Sequence, residues 1–224
     1  MFHKRDLLLG GINKLLTDNR IIATNYLDIG CGNGDLTLLV AKILNANEVY
    51  GVDADDEILK KLPTSINKIN FNLEMLNKSK LPFNQGYFDV ITVIEVIEHL
   101  SNGDDLLKEV YRLLTPNGYL LITTPNLASL LNRFLLLLGY QPLYTEPSKY
   151  YYIGLRKVIK KSPISEYGHK NLYTIKALKN ILEIYNFKVI ATIGGQSTYD
   201  RFSFLPIAKF TSIAPNLIVL SKKK

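Results

Sequence analysis

A glycine-rich turn, Asp28-Ile29-Gly30-Cys31-Gly32-Asn33-Gly34, ends an apolar stretch and leads into the helix-like segment DLTLLVAKIL. Glycine tolerates positive φ angles and lets a ligand approach the backbone, and the first N–H groups of a helix are free to donate hydrogen bonds. A strand, a glycine turn and a helix in this order predict the first unit of a nucleotide-binding α/β fold.

The glycine spacing argues against a pyrophosphate ligand. A dinucleotide fingerprint places its third glycine after two intervening residues, whereas Gly30, Gly32 and Gly34 alternate and Asp35 follows them. A carboxylate at that position repels phosphate but tolerates a cationic ligand. The pattern therefore disfavours a nicotinamide dehydrogenase. Asp53, at the end of the next predicted strand, is placed to accept both hydroxyls of a ribose.

Short apolar strands alternate with amphipathic helices from Asn25 onward, which predicts a doubly wound, mostly parallel, Rossmann-like α/β sheet. Ser101 and Asn102 are candidate caps for one of these helices. We expect a single domain with an N-terminal helix in 1–24, a cofactor-binding core in 25–126, a lid inserted after the fifth strand in 127–172, and a C-terminal helix and strands in 173–224.

The composition favours a soluble, cytoplasmic protein. Cys31 is the only cysteine, and the most apolar segment, LASLLNRFLLLLGY, is interrupted by polar residues and too short to span a bilayer. A net charge of +7, with basic runs at 156–161 and 222–224, weakly indicates an anionic partner such as nucleic acid or a membrane surface.

The segments YLDIGCGNGDLT, VYGVDAD, LPFNQGYFDVI, IEVIEHL and LLTPNGYLLITTPN resemble, in order, the motifs of class I S-adenosylmethionine-dependent methyltransferases. The resemblance implies S-adenosylmethionine as cofactor. It implies that Asp28 and the three glycines surround the methionine part and that Asp53 holds the ribose. Residues 72–74 would flank the adenine through Asn72, Leu73 and Glu74, although many relatives carry aspartate in place of Asn72. We also place Glu95 among the cofactor-binding residues.

Each of these candidate cofactor-binding residues could also have a purely structural role. Gly30 could simply close a turn and Asp53 could cap the next helix, while Cys31 is expected to be a packing residue and Asp89 to close a turn.

The string Glu95-Val96-Ile97-Glu98-His99 follows the fourth predicted strand, where a general base would stand. It resembles quinone-biosynthesis O-methyltransferases and small-RNA terminal 2′-O-methyltransferases. In the latter, two glutamates and a histidine at this spacing join a later histidine, here His169, to hold a divalent metal. We predict His99, Glu98 and His169 as catalytic residues, and a metal held by them together with Glu95 is open but not favoured.

The inserted segment is expected to choose the acceptor. Its tyrosines could stack on a flat substrate or form a packed lid, and its Leu-rich helix could cover the site, dimerise or dock on a bilayer. These tyrosines are Tyr140, Tyr144, Tyr150, Tyr151 and Tyr152.

The predicted reaction is O-methylation of a small-molecule or lipid-linked acceptor. The alternatives are metal-assisted RNA 2′-O-methylation and a catalytically silent S-adenosylmethionine-binding partner subunit. The oligomeric state is left open.

Overall fold

The computed structural model describes residues 2–145, 147–148, 150–154, 159–160, 168–195 and 210–224. Its helices are α1 Phe2–Asp18, α2 Asp35–Leu44, α3 Asp56–Leu59, α4 Gly103–Leu113, α5 Leu130–Leu137 and α6 Ile175–Ile184. Its strands are β1 Asn25–Ile29, β2 Glu48–Asp53, β3 Asn67–Asn70, β4 Phe88–Ile94, β5 Leu114–Pro125, β6 Tyr151–Tyr152, β7 Ile159–Lys160, β8 Phe187–Gly195 and β9 Asn216–Lys223. Two 3₁₀ helices, Leu73–Met75 and Ile97–His99, follow β3 and β4.

Seven of the strands form one sheet in the order β3-β2-β1-β4-β5-β9-β8. The first five run parallel, and β9 is antiparallel to both of its neighbours. The order reverses between β1 and β4, and such a switch point opens a crevice at the carboxyl ends of the strands. The predicted doubly wound, mostly parallel sheet is confirmed.

Helices cover both faces of this sheet. Buried residues of α1, α2 and α3 pack on one face, and those of α4 and α6 pack on the other. Strand β4 shows the alternation: Val90 and Ile94 point to the first face, while Ile91 and Val93 point to the second. Burial on both faces explains why the central strands read as nearly continuous apolar runs.

The sequence signals for the start of the fourth helix agree largely with the structure. Asn102 is the cap of α4, because its side chain accepts a hydrogen bond from the Asp104 N–H at 3.0 Å. The helix α4 ends at Leu113 and β5 begins at Leu114, so the turn-forming residues 116–118 lie inside the strand, whose register against β4 shifts between Phe88 and Val90. The irregular pairing of β5 with β4 accommodates these turn-forming residues within the strand.

The segment after β5 contains α5 and a two-stranded antiparallel ribbon of β6 and β7. Ser129 caps α5, which is shorter than the Leu-rich stretch in the sequence. Most of the basic run 156–161 lies outside the described residues, as does the side chain of Tyr152. Among the described helices, none has both the length and the apolar character needed to cross a bilayer.

Candidate active site

The glycine turn lies between β1 and α2 and adopts the backbone conformation that its residues favour. Gly30, Gly32 and Gly34 have φ angles of +77°, +50° and +78°. A Cβ added at Gly30 would lie 2.3 Å from Cγ2 of Val96, whereas one at Gly32 would meet nothing within 4 Å. The turn is therefore closed against the end of β4 at Gly30 and open at Gly32.

Asp28 stabilises the glycine turn through hydrogen bonds to neighbouring elements. The carboxylate is buried and accepts hydrogen bonds of 2.6 Å from the hydroxyls of Thr37 and Thr92, and the Tyr26 hydroxyl lies 2.7 Å from Thr92. Burial raises the pKa of Asp28 to about 6, and the two threonine hydroxyls act in the opposite direction. Both oxygens are thus engaged in fixing the turn to α2 and β4.

Asp53 lies at the end of β2, beside the turn. One carboxylate oxygen accepts the Gly32 N–H at 2.9 Å and the other accepts the Asp55 N–H at 3.1 Å. The cap of α3 is Asp55, whose side chain accepts from Glu57 and Ile58 N–H, so Asp53 does not cap that helix. Its carboxylate instead stands next to the open position of the glycine turn.

Residues 72–74 follow β3 at the same edge of the sheet. The Asn72 side chain accepts the Glu74 N–H at 3.0 Å and thereby caps the 3₁₀ helix that begins at Leu73. The Glu74 carboxylate accepts from Lys170 Nζ at 2.6 Å and from the Ser101 N–H at 3.0 Å. Partial burial would raise the pKa of Glu74, but Lys170 and Ser101 outweigh it and leave the pKa lowered.

These features fit the predicted cofactor. An open, glycine-lined backbone with an acidic residue at the end of β2 suits a ribose, and the ionisable carboxylates Asp28, Asp53 and Asp35 in this region favour a cation over a phosphate. The turn and Asp53 would hold the methionine and ribose parts. The roles of individual residues toward the cofactor stay predictions.

Glu95 begins the second half of the site, at the end of β4. It has a φ of +55°, a left-handed conformation that is uncommon outside glycine. Its carboxylate accepts from Thr123 Oγ1 at 2.7 Å and from Asn216 Nδ2 at 3.1 Å. Burial raises the pKa of Glu95 to about 7, against the effect of these two hydrogen bonds. Glu95 thus connects the ends of β4, β5 and β9.

Glu98, His99 and His169 come together just beyond Glu95. One nitrogen or oxygen atom from each lies within 4.8 Å of the others, and the two imidazole rings stack with centroids 4.8 Å apart. The Tyr144 ring packs edge-on against His169 at 5.4 Å.

Glu98 is an unusual carboxyl group. It is fully buried, and neither of its oxygens makes a hydrogen bond of standard geometry to the described residues. Burial, followed by the neighbouring Glu95 charge, raises the pKa of Glu98 to about 9, although its own backbone and the Thr124 hydroxyl pull the pKa down. At neutral pH this group holds its proton.

His169 reaches this cluster because its neighbours anchor the chain. The Lys170 and Asn171 N–H groups both donate to the Glu98 carbonyl, at 2.8 and 3.0 Å, and the Asn171 side chain donates to the Leu100 carbonyl at 2.7 Å. Lys170 also joins Glu74 in an ion pair. The end of the insertion is therefore fastened to both halves of the site.

The predicted metal site fits these positions in part. One carboxylate and two imidazoles suit Zn²⁺, Mn²⁺ or a similar ion, and the oxygens of Glu98 make no hydrogen bond of standard geometry to the described residues. Glu95 differs from the expected pattern, because its oxygens bond Thr123 and Asn216 instead of joining the group. Glu98, His99 and His169 would hold such an ion, which would supply Lewis acidity.

Cys31 and Asp89 were expected to have structural roles, and the structure confirms this. Burial raises the pKa of the Cys31 thiol to about 12, and its sulfur packs over Gly51. Asp89 accepts the N–H groups of Thr24 and Asn25 at 2.8 and 3.0 Å and so holds the entry to β1.

The partners of the acidic residues were not predicted from the sequence. Thr92 supports Asp28, and Asn216 bonds Glu95 from a strand more than a hundred residues away. The sequence does contain a signal for Thr92, since it is the one hydroxyl residue inside the apolar run of β4. It contains no comparable signal for Asn216.

Comparison with known proteins identifies the family. A family model described as a methyltransferase domain matches residues 1–192. A demethylmenaquinone methyltransferase of Lactobacillus johnsonii is 33% identical over 97 residues, which are 41% of this chain and 40% of that protein. The ubiquinone/menaquinone biosynthesis C-methyltransferase UbiE of Vibrio vulnificus is 31% identical over 128 residues, 52% of this chain and 49% of that protein. The matches thus span less than half of either relative.

A solved structure from Thermotoga maritima, described as an S-adenosylmethionine-dependent methyltransferase and possible histamine N-methyltransferase, superposes with a TM-score of 0.64. It is 17% identical, with 99% of this chain and 90% of that chain covered. This likeness shows the fold.

Proposed function

The chain belongs to the family of methyltransferase domains, and on that premise we propose that it methylates a hydroxyl oxygen of a small-molecule or lipid-linked acceptor. The methyl donor of the family is S-adenosylmethionine, which supplies an electrophilic methyl group at its sulfonium centre when bound. Asp53 and the open backbone at Gly32 would bind the donor. The remaining work of the protein is to orient the acceptor and to accept its proton.

One observation carries the proposal: Glu98, His99 and His169 converge at the end of β4, with ligand atoms within 4.8 Å of one another. Val96, in the same segment, is the side chain that closes the glycine turn at Gly30. A base in this cluster therefore stands beside the donor site.

An imidazole is the natural proton acceptor in this cluster, since the raised pKa of Glu98 keeps that carboxyl group protonated at neutral pH. When His99 or His169 takes a proton from the acceptor hydroxyl, the new positive charge favours the ionised form of Glu98. Glu98 would then stabilise the imidazolium. Tyr144, packed against His169, would keep that ring in place.

C-methylation is a second candidate, because the curated relatives in quinone biosynthesis include proteins named C-methyltransferases. A ring carbon next to a phenol becomes nucleophilic when the phenol loses its proton. The same base could thus serve either outcome, and only the methylated atom distinguishes them.

The test is turnover of methyl-labelled S-adenosylmethionine with a panel of phenols, catechols, isoprenylated quinols and a short RNA, with and without EDTA. Product NMR identifies the methylated atom. We expect an O-methylated product and a loss of about a hundredfold or more in kcat for His99→Gln or His169→Gln, whichever is the base, since a general base typically contributes at least that factor. His3→Gln, which changes the chain's other histidine in α1, is the matched control and should retain activity.

Other results would redirect the proposal. A ring-methylated product would select C-methylation. Loss of activity in EDTA, with methylation of RNA 3′ ends, would select the metal-assisted RNA reaction. Binding of S-adenosylhomocysteine without turnover of any acceptor would favour a silent partner subunit.

A further inference from the structure

The end of α5 carries an apolar surface that the sheet does not bury. Leu136, Leu137 and Leu138 are 56%, 80% and 69% exposed. Tyr150 and Tyr151, on the neighbouring segment, are 65% and 44% exposed. Three consecutive exposed leucines flanked by tyrosines are unusual on a monomeric soluble surface, where exposed apolar residues are normally scattered. We call these five residues the apolar tip.

The two parts of the apolar tip are physically joined. The chain turns at Gly139, which has a φ of +76°, and the Gln141 N–H then donates to the Gly154 carbonyl at 2.8 Å. A Cβ at Gly154 would come within 2.4 Å of the Gln141 Cβ, so the backbones are in close contact. The leucines and the tyrosines therefore belong to one continuous protrusion.

This protrusion is anchored by polar contacts on its inner side. The Asn132 side chain donates to the Asn126 carbonyl at 3.3 Å and accepts the Leu143 N–H at 2.8 Å. Arg133 donates to the carbonyls of Ala128 and Ser212 at 2.8 and 3.1 Å. Because these bonds fix α5 against the end of β5, the leucines are held outward.

Positive charge is concentrated in the same insertion. Residues 127–172 contain seven Lys and Arg against two Glu, a net charge of +5 out of +7 for the whole chain. The run Arg156–Lys161 belongs to this stretch, and the backbone of Lys160 pairs with that of Tyr151 in the β6–β7 ribbon. The backbone of one residue of this basic run, Lys160, is thus adjacent to Tyr151 of the apolar tip.

We propose that the apolar tip docks on the surface of an anionic lipid bilayer. Leucines that enter the acyl boundary, tyrosines at the headgroup level and basic residues facing anionic headgroups are the three chemical components of interfacial membrane binding. A second copy of this chain is a poorer occupant, since a symmetric interface would bring two segments of charge +5 together. A nucleic acid would match the charge but leave the leucines in water.

Docking extends the proposed function, because the insertion that carries the apolar tip also carries Tyr144 and His169 of the candidate active site. A lipid-linked acceptor would then reach the site from the bilayer surface. The binding itself is measured without donor or acceptor, so its failure is distinct from failure of the methyl-transfer proposal.

The experiment is co-sedimentation of the full chain with vesicles of phosphatidylcholine alone or mixed with phosphatidylglycerol. We expect binding only to the mixed vesicles, weakened by added salt. Leu137→Asp should weaken it by about tenfold or more, the factor expected when one leucine side chain loses an apolar environment. Ile184→Asp is the matched control, since Ile184 is 71% exposed on α6, away from the insertion, and should leave binding unchanged.

Both variants are first checked for wild-type melting temperature and for S-adenosylhomocysteine binding. Failure of the wild type to bind mixed vesicles would overturn the proposal, as would equal binding by Leu137→Asp. Self-association that Leu137→Asp abolishes, in the absence of vesicle binding, would assign the apolar tip to a second copy instead.

Discussion

Replacing Glu98 by glutamine is expected to stabilise the protein increasingly as the pH rises. Glu98 has a pKa of about 9 in the folded chain and an ordinary value of 4.5, chiefly because burial disfavours its charge. Between these values the folded state holds a proton that the unfolded state has lost, so stability is full below pH 4.5 and falls as the pH approaches 9. Glutamine has no such proton to lose.

The size of the effect follows from that difference in pKa. Each pH unit in the window is worth about 1.4 kcal/mol, which gives a ceiling of about 6 kcal/mol across the whole window. Between pH 6 and 8 the advantage of Glu98→Gln should grow by about 3 kcal/mol. For a chain of this size that corresponds to a difference in melting temperature that widens by about 5–11 °C. Glu95 titrates in both proteins and contributes mainly to the shared background.

The assay is thermal unfolding of wild type and Glu98→Gln at pH 6, 7 and 8 in EDTA, which removes any bound divalent ion. Glu109→Gln is the control, because Glu109 is also buried but is ion-paired to Arg112 at 2.6 Å; its replacement should lower the melting temperature at every pH. If wild type and Glu98→Gln shift in parallel from pH 6 to 8, Glu98 is ionised in the folded protein and the reasoning is refuted.

Four further substitutions test other parts of the site. Gly30→Ala and Gly32→Ala share a left-handed backbone strain of about 1–2 kcal/mol. Only the new methyl group at position 30 meets a neighbouring side chain, so calorimetry should show the larger loss of stability for Gly30→Ala. For Gly32→Ala it should show mainly a loss of affinity for S-adenosylhomocysteine. Thr92→Val removes one of two hydroxyls that bond a buried carboxylate and should lower the free energy of unfolding in urea by about 1–3 kcal/mol. Lys170→Met breaks a half-exposed ion pair with Glu74, so the free energy of unfolding should change by less than about 1 kcal/mol. The value of kcat/KM for the acceptor should nevertheless fall. A kcat/KM equal to that of the wild type would contradict a positioning role for Lys170.

The fold was predictable because its signals are local. The glycine turn at 30–34, the cap at Asn102 and the apolar runs of β1, β2 and β4 are each defined by a few adjacent residues. Their order along the chain then restricts the topology, because parallel strands joined by helices wind in one hand. The start of β5 was not predictable in this way, since the pairing of Phe88 with Leu114 depends on an irregular register that no local pattern indicates.

The carboxylates were harder to assign, because a carboxylate's role depends on what reaches it from elsewhere. Asp28 and Asp53 both end a strand before a polar turn, yet the structure buries the first between two threonines and leaves the second beside the open backbone of Gly32. Glu95 and Glu98 belong to one short string, yet Glu95 is bonded by Thr123 and Asn216 while Glu98 is buried without such bonds. Periodicity assigns a face to each of these residues but cannot supply its partner.

His169 shows how distant contacts complete such a site. It lies seventy residues after His99, near the end of an insertion with no regular periodicity, and its own sequence GHKN predicts neither helix nor strand. Its position follows from two neighbouring N–H groups that share the Glu98 carbonyl and from the Lys170 ion pair with Glu74. Within the insertion, Tyr144 packs edge-on against His169 at 5.4 Å, so a residue of the segment expected to choose the acceptor contacts one of the two candidate bases. This contact joins residues twenty-five positions apart, and no single motif encodes it.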